Sequence, residues 1–147
     1  MLNDKLKYLE EFKPQAGDAW FIVPIDKIAE ACKTLRDEYK FDCLSCLTGT
    51  DRGEFLEVVY HIFSYQTKET VVLKVKLDKT ALAVPTISGI WPSANWMERE
   101  AYDLLGISFT DHPDLRRIML PDDWVGFPLR KDYKEPEEYR GMSTKLC

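Results

Sequence analysis

No run of eighteen apolar residues occurs in this 147-residue chain, so no segment reads as a membrane-spanning helix. The first residues, Met1-Leu2-Asn3-Asp4-Lys5, lack the apolar stretch of a secretory leader. Both absences lead to the expectation of a cytoplasmic protein that meets a membrane only through a partner. Cationic surplus is missing as well: 20 Lys and Arg face 25 Asp and Glu, a net charge of −5. Without a positive field to draw a phosphate backbone, nucleic acid is not an expected partner. The seven glycines form no phosphate-cradling loop, and there is no nucleophile elbow and no H-E-x-x-H. With only two histidines, His61 and His112, and four cysteines, a metal site would have few donors to choose from.

What is present suits a folded domain. Apolar residues make up 45% and charged residues 31%, ordinary for a globular chain. This length buries roughly two-thirds of the unfolded surface, enough for one core. Residues 3–12 have helix-like spacing, with Leu2, Leu6, Tyr8 and Leu9 on one side. A short β-prone run, Trp20-Phe21-Ile22-Val23, ends at Pro24. A helix over about 27–39 follows, with Asp26 as its N-cap and Ile28, Cys32, Leu35 and Tyr39 in its apolar stripe. Strands are expected at 43–49, 55–65 and 70–78, joined by short turns into a meander. The third alternates cleanly, Val71, Leu73, Val75 and Leu77 against Val72, Lys74, Lys76 and Asp78. Residues 81–87 offer a further edge strand containing Pro85.

A second helix is expected over 93–105, capped by Ser93 and stopped at Gly106. Its apolar side would be Met97, Ala101, Leu104 and Leu105, with Glu98, Arg99, Glu100 and Asp103 mostly outside it. Beyond Ile107 the chain reads as irregular, apart from a possible strand at Ile118-Met119-Leu120. The fold class is therefore α+β: a mostly antiparallel sheet of about four strands, helices on one face, and an irregular C-terminal tail. Residues 1–120 are expected to form the domain and 121–147 a docking tail.

Cys43-Leu44-Ser45-Cys46 matches C-x-x-C, and a small thiol oxidoreductase or metal protein is the rival functional reading. On a regular strand, however, positions three apart face opposite ways, so the two thiols would not meet. His61, inside a strand, reads as structural. His112 opens a His-Pro-Asp turn before it suggests a base. The denser signal is a charge cluster: Glu98, Arg99, Glu100, Asp103, Asp114, Arg116, Arg117, Arg130, Lys131 and Asp132. A solvated face is the plain interpretation. Against it stand Trp91, Trp96 and Trp124 with Tyr102, Phe127, Tyr133 and Tyr139, because Trp, Tyr and Arg together are enriched in protein contacts.

These residues resemble the 30-kilodalton subunit family of respiratory complex I, the NADH–quinone oxidoreductase. The resemblance lies in Glu98-Arg99-Glu100, Asp103-Leu104-Leu105, His112, Arg116-Arg117 and Gly126-Phe127-Pro128-Leu129-Arg130-Lys131-Asp132-Tyr133. Leu47-Thr48-Gly49-Thr50-Asp51 and Phe55 to His61 extend it upstream. The resemblance implies a cofactor-free subunit of the hydrophilic arm, peripheral on the cytoplasmic side of the inner membrane. FMN and iron–sulfur clusters would sit in other subunits, passing electrons from NADH to quinone with proton translocation. Its partners would be the large quinone-site subunit and other members of that arm. Related subunits of a photosynthetic plastoquinone reductase and of membrane-bound hydrogenases are the neighbouring possibilities. On this reading the E-R-E helix and the H-x-x-x-R-R turn lock to each other and to a partner, and Arg117→Ala would leave the isolated domain's thermal unfolding nearly unchanged while reducing incorporation into the complex.

Overall fold

The computed structural model describes residues 6, 9–12 and 20–144. Three long strands, β3 (Cys43–Asp51), β4 (Phe55–Phe63) and β5 (Thr70–Asp78), form the expected meander. β4 lies between the other two. Two short strands extend the sheet beyond β5: β1 (Glu10–Phe12) and β2 (Trp20–Ile22), in the order β1-β2-β5-β4-β3. All pairings are antiparallel except β2 with β5. The α+β reading holds, with five strands described where about four were expected. Residues 10–12 are strand, not helix; Leu6 and Leu9 are in no regular element, and the rest of 3–9 lies outside the described residues.

Helix α1 (Ile28–Asp37) is entered through a 3-10 turn at Ile25–Lys27, so Asp26 falls inside that turn and does not cap the helix. Its Ile28, Ala31, Cys32 and Leu35 are buried. They join Leu56, Val58, Tyr60 and Ile62 of β4 and Val71, Leu73, Val75 and Leu77 of β5 in one core. Helix α2 (Ala94–Leu105) packs along β3, where Leu47 N–H points at Met97 Sδ, 3.3 Å away. Ser93 makes no side-chain cap, whereas Gly106 takes the left-handed C-cap at φ 73°. Two small sheets of two strands each complete the described fold; one of their four strands falls in the expected edge strand at 81–87 and three in the stretch read as irregular. β6 (Ala83–Pro85) pairs in parallel with β7 (Ser108–Thr110), and β8 (Glu138–Tyr139) forms a small hairpin with β9 (Met142–Ser143).

One detail overturns the cysteine argument. The β3–β4 register shifts between Leu44 and Cys46, so Cys43 faces Phe63 and Cys46 faces His61. A bulge adds a residue and resets the alternation. Leu44 and Leu47 both enter the core, and the two thiols share the opposite face. Both are free.

Candidate functional site

Helix α2 was expected to turn its charges to water. Instead Glu98 and Asp103 are fully buried and Arg99 is 8% exposed, while Glu100 stays in solvent. The reason lies downstream. The sheet covers one side of α2, and segments between residues 111 and 131 are bonded over the other.

Asp103 is the hub. Its Oδ1 accepts from Arg117 Nη1 at 2.7 Å, and its Oδ2 accepts three consecutive backbone N–H groups, Ile118, Met119 and Leu120, at 3.0, 2.7 and 2.8 Å. Successive N–H groups converging on one oxygen make an anion nest. This is why 118–120 is no strand: its donors point at a carboxylate. Burial raises the Asp103 pKa, but the bonds from Leu120, Arg117, Ile118 and Met119 outweigh it and hold the carboxyl below its ordinary range.

Arg117 also donates to the backbone oxygen of Asp103 and, through Nη2, to Trp124 O at 3.0 Å and Gly126 O at 3.2 Å. One guanidinium thus joins the helix to two points of the tail, using the planar fork that lysine lacks. Arg99 reads the turn from beneath, donating to Arg116 O at 3.2 Å and Arg117 O at 3.3 Å. Arg116 itself is 71% exposed and bonds only Asp114 among the described side chains.

The His112 side chain is buried. Its Nδ1 accepts the Asp114 N–H at 3.0 Å, which places the ring hydrogen on Nε2, 3.2 Å from Asn95 O. The imidazole thus clasps the turn to the start of α2, 3.6 Å from Glu98 Oε2. Glu98 accepts from Ile87 N–H at 2.8 Å and meets Thr86 Oγ1 at 2.5 Å. Burial, partly offset by the Thr86 and Ile87 bonds, pushes its pKa up to about 7.

The tail is fixed beyond Arg117. Leu129 N–H donates to Leu104 O, and Arg130 Nε to Leu105 O at 2.6 Å, with its guanidinium over the Phe127 ring. Lys131 contributes its backbone N–H, to Asp51 Oδ2 at 2.9 Å; its side chain and Asp132 face solvent. Gly106 makes this approach possible, since a Cβ there would lie 2.7 Å from the Phe127 ring. Farther on, Asp123 accepts from Tyr139 Oη and Arg140, folding the last described residues back. Sequence reasoning missed Asp51, Thr86 and the nest at 118–120. Only Asp51 left a trace, as the last residue of the Leu47-Thr48-Gly49-Thr50-Asp51 stretch.

Residues 21–139 match the family model for the respiratory-chain NADH dehydrogenase 30 Kd subunit. The chain belongs to that family. Among relatives of this 30 kDa family member, an NADH-quinone oxidoreductase subunit of Geotalea uraniireducens is 42% identical over 89% of the chain and 84% of the relative. Its counterpart in Roseiflexus sp. is 44% identical over 89% and 76%. Among solved structures, a trypsin-resistant fragment of Nqo5 superposes with a TM-score of 0.62 at 29% identity, covering 76% of this chain and 92% of the fragment. A chain of the archaeal membrane-bound sulfane sulfur reductase, at 24% identity and a TM-score of 0.78 over 90% and 81%, shares the fold. In this chain the Glu98-Arg99-Glu100 stretch of α2 and the His112 to Arg117 turn meet in space, and Asp103 joins them. Among the described residues no helix is long and apolar enough to cross a membrane, and no group of three or more His, Cys, Asp or Glu is arranged to hold a metal ion.

Proposed function

We propose that this chain is a non-catalytic structural subunit of the hydrophilic arm of a membrane-bound NADH–quinone oxidoreductase. In this reading it lies peripherally on the cytoplasmic side of the inner membrane and docks against the large quinone-site subunit and other members of the arm. FMN and iron–sulfur clusters in those other subunits carry electrons from NADH to quinone, coupled to proton translocation. The chain's own part is to hold its neighbours in fixed geometry.

One observation carries this reading. The inner sides of segments 117–130 are bonded to α2 by Asp103, Arg117 and Arg130, while Met119, Val125 and Leu129 on the same segments are 64%, 79% and 58% exposed. Anchoring a backbone this firmly while leaving its large apolar side chains in water suits a surface that a partner covers. Exposed Glu100, Arg116, Lys131 and Asp132 supply a charged rim, as the edges of protein interfaces do. Asp114, half exposed, holds Arg116 there.

The test is the double substitution Val125→Asp with Leu129→Asp in a tagged chain expressed in its native membranes. Unfolding of the purified chain should move by no more than about 0.5 kcal/mol, as for other surface changes. Co-purification of the large quinone-site subunit should fall about tenfold or more, the equivalent of ~1.4 kcal/mol, and NADH–quinone activity of the membranes should fall with it. Wild-type recovery of the complex would overturn the proposal.

A further inference from the structure

Glu98 does more than pin a loop, because its hydroxyl partner is shared. Thr86 Oγ1 touches Glu98 Oε2, accepts the Ser88 N–H at 3.1 Å and lies 2.9 Å from Ser88 Oγ. A threonine hydroxyl has one hydrogen and two lone pairs, so three contacts use all of them, and only two arrangements do so. With Glu98 ionised, Thr86 donates to Oε2 and accepts from the Ser88 hydroxyl. With Glu98 protonated, Oε2 donates to Thr86, which donates its own hydrogen to Ser88. Turning two hydroxyls converts one arrangement into the other. Thr86 and Ser88 line an open groove of about 920 Å³, together with Ile90, Asn95, Trp96 and Pro113.

We propose that Glu98 is a proton-exchange site, wired through the Thr86 and Ser88 hydroxyls to this groove, whose charge state sets how the 86–90 loop is latched to α2. Release balances simply. The carboxyl proton passes to Thr86 Oγ1, the Thr86 hydrogen to Ser88 Oγ, and the Ser88 hydrogen to water in the groove. Each hydroxyl keeps one hydrogen and one proton leaves. The ionised carboxylate is the stronger acceptor for the Ile87 N–H, so the latch tightens on deprotonation.

Titratable groups from three other segments face Glu98. His112 comes from the turn, Cys32 from α1 and Tyr60 from β4. Burial holds the Cys32 thiol and the Tyr60 phenol in their neutral forms, and the charge of Glu98 pushes both further that way. On α2 itself, Arg99 is directed at the Arg116 and Arg117 carbonyls. Arg36 of α1 bonds Ile90 O at the end of the loop, and Glu30, Lys33 and Asp111 line the groove. With the Glu98 pKa pushed up to about 7, both forms are populated near neutrality.

The experiment follows the Ile87 amide proton by NMR in the full chain between about pH 5 and pH 9, a span that brackets the carboxyl's shifted range. Wild type should show one titration step near neutrality. Glu98→Gln, which mimics the protonated form, should show none. Thr86→Val should move the step upward, because the ionised form loses a donor. Ser88→Ala should broaden the Ile87 resonance at the midpoint as proton exchange slows. A flat wild-type profile, or a step that survives in Glu98→Gln, would overturn the site. An unmoved midpoint in Thr86→Val, or an unchanged line width in Ser88→Ala, would overturn the hydroxyl link.

Discussion

Asp103 and Glu98 sit on one helix, both fully buried, and their surroundings push them in opposite directions. Asp103 meets four donors and is held below its ordinary pKa of 3.8. Its stabilisation is therefore present above that value and is lost as the pH falls through the depressed one. Glu98 is raised from 4.5 to about 7 by burial. Its folded form binds the proton more readily than the unfolded chain, so its contribution is complete below about pH 4.5 and declines until about pH 7. Urea unfolding across this range should show that decline in wild type, and Glu98→Gln should flatten it. Asp103→Asn presents an amide to groups that are all donors and leaves Arg117 without its counter-charge. A loss of about 3–5 kcal/mol is expected. Arg117→Ala should cost a similar amount, contrary to the expectation drawn from sequence, because this guanidinium is spent inside the chain. Exposed Arg116→Ala should stay within about 0.5 kcal/mol, and chemical denaturation of the pair separates the two cases.

At the scale of elements, the end of α2 decides where the tail lies. Gly106 is left-handed, and Phe127 and Arg130 fill the space that a Cβ there would need. Gly106→Ala should cost roughly 1–2 kcal/mol from backbone strain alone, and it should also lift the 127–130 segment. Limited proteolysis should then cut that segment sooner than in wild type, at a temperature where the sheet is intact. The long strands were legible in the sequence because alternation is a local signal, as in Val71 to Leu77. α1 and the Gly106 stop were legible for the same reason. The three-residue strands β2, β6 and β7 have too little pattern to declare a register, and their partners lie far along the chain. The bulge beside Ser45 was equally hidden, since nothing in Cys-Leu-Ser-Cys announces an extra residue. In α2 the residue types of the site were all visible. Their burial was not, because the cover over Asp103 arrives 14–17 residues later, from a stretch whose composition reads as loop.

At the scale of the whole molecule, the buried charges of the motif work inward, while Met119, Val125 and Leu129 stay exposed on the outer side. Glu98, Arg99, Asp103, His112 and Arg117 bind segments of their own chain to α2, so the proposed docking face takes its shape from bonds within the chain. Hydrogen exchange at the Ile118, Met119 and Leu120 amides measures this most directly. In the free chain these three should be protected together, and in Asp103→Asn they should open together while Tyr60 and Leu73 in the sheet remain slow. Exchange of all three at the unfolded rate in the wild-type chain would contradict an inward-working motif and return Asp103 and Arg117 to the surface.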